Sequence, residues 1–234
     1  MPTEGRNGRP FVLASVAMSL DGYIDDAGPR TLTLSDADDL DRVDGVRAEV
    51  DAILVGAGTV RADDPRLRVR SPRRRDERVA AGRPPTPLRV ILSARGDLDP
   101  AAAVFTPGAG PVVVYTAGSA AARLQQQLGD AAEVVDPCPV TGGRPGPADV
   151  LADLARRGVT RVLVEGGGTV HTAFLTAGLV DELHVVVAPF FVGDSRAPRF
   201  VRDGGFPQRP DHRMVLVEAR PMGDLVLLRY RMRG

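Results

Sequence analysis

The sequence contains no lysine, so all thirty of its basic residues are arginine. This absence excludes Schiff-base catalysis by the chain and a phosphate-binding lysine of the Walker type. Any phosphate must therefore be bound by arginine, hydroxyl or backbone N–H groups. The single cysteine, Cys138, lies in a predicted loop and excludes an intramolecular disulfide and a multi-cysteine zinc site. The three histidines, His171, His184 and His212, lack ligand spacing, so we expect no metal site.

The sequence also lacks an excess of charge of one sign. Its formal net charge is +0, so it shows no global signature of binding to nucleic acid or membranes. No apolar run approaches the roughly 20 residues that span a bilayer, and the first residues lack the apolar core of a signal peptide. We therefore expect a cytoplasmic protein. A chain of 234 residues without repeats or a linker predicts one domain over residues 1–234, with 1–10 as a flexible tail.

Eight arginines crowd into residues 66–88. Such a run is compatible with nucleic-acid binding. Because no aromatic residues are interleaved with the arginines, we interpret the segment as a solvated loop with a mobile tip at residues 73–75. One or two of its arginines remain candidates for contact with a phosphate.

Residues 159–171 carry the most informative pattern in the chain. A β-branched run ends at Glu165, three glycines follow, and apolar residues then recur at helical spacing up to Gly178. This pattern predicts a strand, a glycine turn and a helix. The bare N–H groups and the helix dipole favour a phosphate or pyrophosphate at the helix start, although three glycines also suit a simple tight turn. Ligands of parallel sheets bind beyond the carboxyl ends of the strands, where Glu165 stands.

The remaining periodicities predict alternating strands and helices. Strands are expected at 11–18, 51–60, 88–93, 111–116, 132–135 and 182–188, helices at 119–128, 147–157 and after an N-cap at Ser35, and a terminal hairpin at 214–219 and 225–231. This alternation predicts an α/β fold with three αβα layers, in which a mostly parallel central sheet carries an antiparallel C-terminal hairpin.

Four segments in this order resemble the pyrimidine reductase family of riboflavin biosynthesis. They are residues 19–22 (SLDG), 55–67 (VGAGTV, then DDPRL), 164–168 (VEGGG), and 178–182 (GLVDE) followed by Ala188-Pro189. The resemblance runs from about Phe11 to the C-terminus and implies a dihydrofolate-reductase-like fold. It also implies a homodimer and NADPH-dependent hydride transfer to the ribosyl C1′ of a ribosylamino-pyrimidine 5′-phosphate. Bifunctional members add a zinc deaminase with His-x-Glu and Pro-Cys-x-x-Cys motifs, which this sequence lacks, so we expect no deaminase activity.

The resemblance also implies the residues of the site. The cofactor set is Ala17, Thr33, Thr59, Asp63, Ser93 or Ala94, Gly167, Gly168, Thr169, Val170, His171, Thr172 and Ala173. The substrate set is Thr31, Arg47, Leu67, Arg70 and Glu165. In this assignment, Arg47 and Arg70 hold the 5′-phosphate as bidentate donors. Glu165 accepts hydrogen bonds from the pyrimidine or balances an iminium charge, and it is the candidate general acid.

Several of these residues also have simpler interpretations. Asp63 suits a turn-capping acid, Arg47 a cation at a helix C-terminus, and Glu165 a strand-end acid that bonds a backbone N–H. Arg95 either meets the 2′-phosphate of NADPH or is a surface arginine.

Two positions depart from the family. Tyr23 stands where members often have Lys or Arg after Asp-Gly, and Ser15 stands where bacterial members often have Lys. The alternatives for function are a same-fold NADPH reductase of a pterin or a secondary-metabolite pyrimidine, and a non-catalytic nucleotide-binding module. The sequence leaves open whether the pyrimidine is already deaminated.

Overall fold

The computed structural model of the protein describes residues 8–28, 32–108, 110–137 and 145–233. The chain divides into two compact units, one with Met1–Phe11 and Asp44–Leu163, the other with Val12–Val43 and Val164–Gly234. Most of the predicted tail, Thr31 and Cys138 lie outside the described residues. The single-domain interpretation stays a prediction.

The described residues form nine strands and six helices. The strands are β1 (Phe11–Ser19), β2 (Ala52–Gly56), β3 (Leu88–Leu92), β4 (Val112–Tyr115), β5 (Glu133–Val135), β6 (Arg161–Gly166), β7 (Glu182–Ala188), β8 (Val215–Met222) and β9 (Leu225–Arg231). The helices are α1 (Ala37–Glu49), α2 (Ala57–Asp63), α3 (Pro72–Ala80), α4 (Ser119–Leu128), α5 (Pro147–Arg156) and α6 (Gly168–Thr176). Short 3₁₀ turns occupy Ala103–Phe105 and Gly129–Ala131.

The strands of the first unit lie in the order β5-β4-β3-β2, and those of the second unit lie in the order β1-β7-β9-β8. In the first unit, β2, β3, β4 and β5 pair in parallel. In the second unit, β1 and β7 pair in parallel, with Ser15 opposite His184, whereas β9 pairs antiparallel with both β7 and β8. The predicted α/β fold, with a mostly parallel sheet and an antiparallel C-terminal hairpin, is therefore confirmed.

The strand β2 shows why the sequences of the parallel strands are continuous apolar runs. All five of its residues are buried. Because successive side chains point to opposite faces of a sheet, complete burial means that both faces of this strand are covered. The helix α5 is instead amphipathic and buries Val150, Leu151 and Leu154 along one stripe.

The strand predicted over residues 51–60 is too long. The strand ends at Gly56 and α2 begins at Ala57, with Ala57 and Val60 buried. The apolar residues of this segment fit a strand and a helix equally well, and the helical turn places Val60 in the core.

The loop predicted over residues 66–88 is wrong, because α3 lies within it. Ser71 caps this helix by accepting a hydrogen bond from the Arg74 N–H at 3.4 Å, and Pro72 occupies the first turn. Arg73 and Glu77 form an ion pair of 2.7 Å one turn apart. The Ser71-Pro72 pair in the sequence is typical of a helix start, but the many arginines around it favoured the interpretation as a loop.

The N-cap of α1 is also displaced by one residue from the predicted Ser35. The Asp36 carboxylate accepts the Asp39 N–H at 2.9 Å, which is the capping interaction. The Ser35 hydroxyl instead donates to the Asp39 carboxylate at 2.5 Å.

Candidate functional site

In the second unit, the carboxyl end of β6 leads through glycine into α6. Gly167 has a φ of 87°, a conformation that glycine adopts without strain. The N–H groups of Val170 and His171 both donate to the Gly167 carbonyl, at 2.9 and 3.0 Å. Those of Gly168 and Thr169 precede any intrahelical acceptor, and the first turn contains neither an acidic residue nor a side-chain cap. This helix start therefore fits an anionic group.

Gly168 makes a close backbone approach within the same unit. A Cβ atom at this position would overlap the carbonyl oxygen of Arg199. The segment that carries this carbonyl is held by two backbone hydrogen bonds. The Ile24 N–H donates to the Pro198 carbonyl at 2.9 Å, and the Phe200 N–H donates to the Gly22 carbonyl at 3.0 Å. Glycine at position 168 therefore sets how closely the first turn of α6 packs against residues 198–200.

His171 is an interior residue. It is 1% exposed, and its ring meets Phe200 edge-on at a centroid distance of 5.2 Å. Burial lowers the pKa of His171 to about 4, and the backbone of Glu165 opposes this shift without making a hydrogen bond of normal geometry to either ring nitrogen. The imidazole is therefore neutral at pH 7, and only the main chain of His171 is available to a ligand.

The other residues of the predicted 167–173 set differ in exposure. Thr169 is exposed, whereas Val170 is buried. The Thr172 hydroxyl donates to the Gly168 carbonyl at 2.6 Å and accepts the Arg202 N–H at 2.8 Å, so it is used internally. Glu165 is half-buried at the penultimate position of β6.

The turn after β1 is organised by Asp21. Its carboxylate accepts the Ser19 hydroxyl at 2.6 Å and the Gly193 N–H at 2.8 Å. Desolvation raises the pKa of Asp21, but these hydrogen bonds outweigh it and hold the pKa at about 2. The SLDG motif therefore joins the end of β1 to the loop after β7.

Tyr23, which departs from the family, pairs with a cation. It is 4% exposed, and the Arg199 guanidinium lies 4.4 Å from its ring centroid and donates to its hydroxyl at 2.8 Å. Of the two cofactor-set residues nearby in sequence, Ala17 is half-buried on β1 and Thr33 is exposed before α1.

The first unit carries the other predicted cofactor residues. Thr59 and Asp63 lie on α2, which starts directly after β2. Ser93 follows β3 and is buried, and its hydroxyl accepts the Gly96 N–H at 3.0 Å. Ala94 and Arg95 are exposed beside it. These residues follow the carboxyl ends of two adjacent parallel strands, where ligands of such sheets bind.

The predicted phosphate-binding arginines belong to one local structure in the first unit. Arg66, Arg68 and Arg70 are exposed, and they alternate with the buried Leu67 and Val69. The buried pair anchors the segment, while the arginines point to solvent. Leu67 itself has a φ of 46°, a left-handed conformation that is uncommon for a residue with a Cβ.

Arg47 joins this segment from the last turn of α1. Its guanidinium donates to the Arg68 carbonyl at 3.2 Å. The structure thus brings together Arg47, Leu67 and Arg70 of the predicted substrate set.

Sequence reasoning missed a buried polar row in the second unit. His184 bonds Glu182 at 2.8 Å and faces the Arg42 guanidinium at 3.3 Å, while Arg42 also donates to Ser15 at 3.3 Å. Arg229 donates to Glu182 at 2.7 Å. Hydrogen bonds from His184, partly offset by burial and reinforced by Arg229, lower the pKa of Glu182 to about 2. The signal was Glu-x-His on a strand, which places both polar side chains on one buried face.

A cavity of about 610 Å³ lies at the opposite, amino-terminal ends of the strands of the first unit. Arg78 and Arg157, two of its charged residues, already have protein partners. The Arg78 guanidinium, on a residue 2% exposed, donates to the carbonyls of Val50 and Pro84 at 2.8 Å, and Arg157 pairs with Glu133 at 2.7 Å. This cavity is therefore not the candidate site.

Among the described residues, no group of three or more His, Cys, Asp or Glu side chains is arranged to hold a metal ion. Of the helices that the structure describes, none is long and apolar enough to cross a bilayer.

The family described as the RibD C-terminal domain matches residues 10–228 of the sequence. The chain belongs to this family. It is 38% identical over 192 residues to the 2,5-diamino-6-ribosylamino-4(3H)-pyrimidinone 5′-phosphate reductase of Archaeoglobus fulgidus, which covers 81% of this chain and 85% of that protein. It is 36% identical over 228 residues to the protein of the same name from Methanothermobacter thermautotrophicus, covering 97% of this chain and 100% of the relative.

Solved structures agree with this membership. A pyrimidine reductase-like protein from Corynebacterium diphtheriae superposes with a TM-score of 0.80 at 25% identity, covering 96% of this chain and 92% of that one. A dihydrofolate reductase from Enterococcus faecalis, at 15% identity and a TM-score of 0.51 over 96% of this chain and 97% of that one, shows a shared fold. The predicted dihydrofolate-reductase-like fold is therefore confirmed. This member of the RibD C-terminal domain family belongs to an oxidoreductase family, and its fold and family point to a nicotinamide cofactor.

Proposed function

We propose that the protein reduces 2,5-diamino-6-ribosylamino-4(3H)-pyrimidinone 5′-phosphate with NADPH in riboflavin biosynthesis. The observation that carries this proposal is the similarity to two freestanding reductases of that name, of which the chain covers 85% and 100%. Their name favours a pyrimidine that is reduced before deamination. Because the dinucleotide and the phosphorylated substrate are both charged and do not cross bilayers, we place the activity in the cytoplasm.

The reaction converts the ribosyl group into a ribityl group. The C1′–O4′ bond breaks, a hydride is added to C1′, and a proton is added to O4′, which balances as a two-electron reduction. A bound nicotinamide supplies the hydride. The protein binds both molecules and orients them relative to each other for the reaction. We assign Glu165 to the pyrimidine N–H groups and keep it as the candidate proton donor, because it is half-buried near the carboxyl end of β6.

The start of α6 is the proposed pyrophosphate site. The donors are the N–H groups of Gly167, Gly168 and Thr169, with the exposed Thr169 hydroxyl beside them. Buried side chains at Val170 and His171 leave only main-chain contacts for those two residues, and Thr172 and Ala173 complete the segment. The further cofactor contacts that we propose are Ala17, Thr33, Thr59, Asp63, Ser93 and Ala94. Arg95 is exposed after β3, and we propose that it selects NADPH over NADH by pairing with the 2′-phosphate.

We assign the 5′-phosphate to Arg47 and Arg70, and we keep Leu67 and Thr31 in the proposed substrate set. The exposure of the Arg66–Arg70 segment and its contact with Arg47 support this assignment. Since the chain has no lysine, the guanidinium groups provide its cationic side chains for phosphate recognition.

The test is turnover of the diamino substrate, followed as loss of NADPH absorbance at 340 nm and as a product heavier by two hydrogens. We expect NADPH to be used in preference to NADH, and Arg95→Met to reduce that preference. Glu165→Gln should lower kcat while cofactor affinity stays the same. Oxidation of NADPH with a pterin but not with the pyrimidine would instead establish the alternative reductase, and cofactor binding without any turnover would establish a binding module.

Variants that each remove one positive charge distinguish loss of the phosphate site from a general effect of charge on substrate binding. Arg47→Met and Arg70→Met should each raise KM for the phosphorylated substrate by about tenfold or more, the loss expected for a charge-assisted hydrogen bond. Arg73→Met is the control, because Arg73 lies in the same arginine-rich segment but is 74% exposed and paired with Glu77. An equal effect of all three substitutions would contradict the assignment.

We also propose that the protein is a homodimer. In the β8–β9 hairpin, Leu216, Val226 and their neighbours on one sheet face are apolar, and Leu216 is 54% exposed. A second copy of this chain would cover this face. Light scattering should give about twice the 24.8 kDa of one chain, and Leu216→Glu should shift the mass toward the monomer.

A further inference from the structure

Asp44 is a buried carboxylate that holds residues 66–70 of the first unit, here called the arginine segment. It lies on α1, three residues before Arg47, and is 3% exposed. Its Oδ1 atom accepts a short hydrogen bond from the Arg70 N–H. Its Oδ2 atom accepts the Ser71 N–H at 3.1 Å and the Arg74 guanidinium at 3.0 Å. One side chain therefore fixes the main chain at the point where the arginine segment enters α3.

The backbone of Arg70 is fixed from both sides. Its N–H donates to Asp44, and its carbonyl accepts the Arg75 guanidinium at 2.8 Å. The Arg75 guanidinium also reaches the Val69 carbonyl at 3.2 Å. The Arg70 guanidinium itself has neither a hydrogen bond nor an ion pair with another residue that the structure describes. A fixed backbone with an uncommitted, exposed guanidinium is the arrangement of a residue prepared to bind an anion.

We propose that Asp44 is a positioning residue that directs Arg70 at the phosphate group of the substrate. The proposal rests on the proposed function for the identity of that substrate. Asp44 acts through the Arg70 main chain and does not touch the phosphate. Preorganisation matters here because ordering a long side chain and its loop at the moment of binding would reduce affinity.

A carboxylate in this position must not repel the incoming phosphate. The two N–H groups and the Arg74 guanidinium surround Asp44 and compensate its charge. Burial raises the pKa of Asp44, but these three donors outweigh burial and leave it below the ordinary value. The group is therefore ionised at neutral pH, and both of its oxygens serve as acceptors.

Asp44→Asn tests this role with a side chain of the same shape. Asparagine offers one acceptor oxygen and places an NH₂ group where Asp44 accepts a donor, so at least one of the three contacts becomes a donor–donor contact. We expect KM for the phosphorylated substrate to rise by about tenfold or more, with kcat within about twofold. KM for the matching riboside without phosphate should not change, whereas a merely structural role would change both substrates alike.

Two further variants complete the design. Asp51→Asn is the matched control, because Asp51 also accepts two backbone N–H groups in the same unit, from Thr160 and Arg161 at 2.9 and 3.0 Å, outside the arginine segment. It should not distinguish the two substrates. If Asp44→Asn does not fold, Arg75→Met releases the Arg70 carbonyl instead and should raise KM for the phosphorylated substrate alone.

Titration with inorganic phosphate of the unmodified protein, Asp44→Asn and Arg70→Met tests this inference separately from the proposed function. Loss of phosphate affinity in both Asp44→Asn and Arg70→Met supports positioning by Asp44 even if the pyrimidine is not turned over. Equal phosphate affinity in Asp44→Asn and the unmodified protein, or absence of phosphate binding to either, overturns the positioning role even if the reductase activity is established.

Discussion

Replacement of Gly168 by alanine tests the packing of the helix that we assign to the cofactor. An added Cβ would overlap the backbone oxygen of Arg199 and would lie 3.4 Å from the backbone oxygen of Phe200. An ordinary contact between carbon and a carbonyl oxygen is roughly 3.3 Å, so the Arg199 carbonyl would have to move by about 1 Å. A backbone carbonyl cannot rotate away as the end of a flexible side chain can.

The cost of that movement follows from what holds the segment. Overpacking of a dense interior costs about 1–3 kcal/mol, and weakening the two backbone hydrogen bonds that join residues 198–200 to Gly22 and Ile24 adds roughly 1 kcal/mol each. Replacement of glycine by alanine in a helix by itself raises the free energy of unfolding by about 0.5–1 kcal/mol. We therefore expect Gly168→Ala to lower the free energy of unfolding by about 2–4 kcal/mol.

Gly58→Ala is the matched control. Gly58 also lies in the first turn of a helix that follows a strand, but a Cβ there would meet nothing within 4 Å. We expect it to raise the free energy of unfolding by about 0.5–1 kcal/mol. Chemical denaturation followed by circular dichroism measures both variants. If Gly168→Ala unfolds within about 0.5 kcal/mol of the unmodified protein, the close approach to Arg199 is not present and the packing argument is refuted.

Three further predictions concern buried polar groups. The Tyr115 hydroxyl donates to Asp153 at 2.6 Å, so Tyr115→Phe should lower the free energy of unfolding by about 1.5–3 kcal/mol with an unchanged m-value; no loss would show that the bond contributes nothing net. Because the folded-state pKa of Glu182 is about 2 against an ordinary 4.5, its ionisation stabilises the protein above about pH 4.5 and this contribution disappears as pH falls toward 2. Glu182→Gln should flatten acid denaturation over that interval, and an identical pH profile would contradict the assigned cause. The buried His171 should titrate near pH 4 by NMR, since its pKa is lowered to about 4, and stability linked to it should fall as pH drops from about 6.5 to 4; a midpoint near 6.5 would mean that the ring is accessible to water.

The sequence determined the elements whose local signals agree with their burial. The continuous apolar run of β1, the Ser119–Leu128 helix and the strand–glycine–helix passage at Glu165 each follow from periodicity and glycine placement alone. The four ordered motifs were enough to indicate the family, because their order and spacing are retained along the chain. The absence of lysine already limited the chain's cationic phosphate ligands to arginine.

Tertiary structure decided which of these residues are available for chemistry. His171 and Thr172 look alike in sequence as members of a glycine-rich motif, yet the ring of His171 is buried against Phe200 and the Thr172 hydroxyl is used within the fold. Likewise, no local pattern indicates that Asp44 would accept the Arg70 N–H, because the two lie 26 residues apart. Local propensities act over a few residues, whereas burial and hydrogen-bond partners depend on which distant segments pack together, and only the folded chain supplies that information.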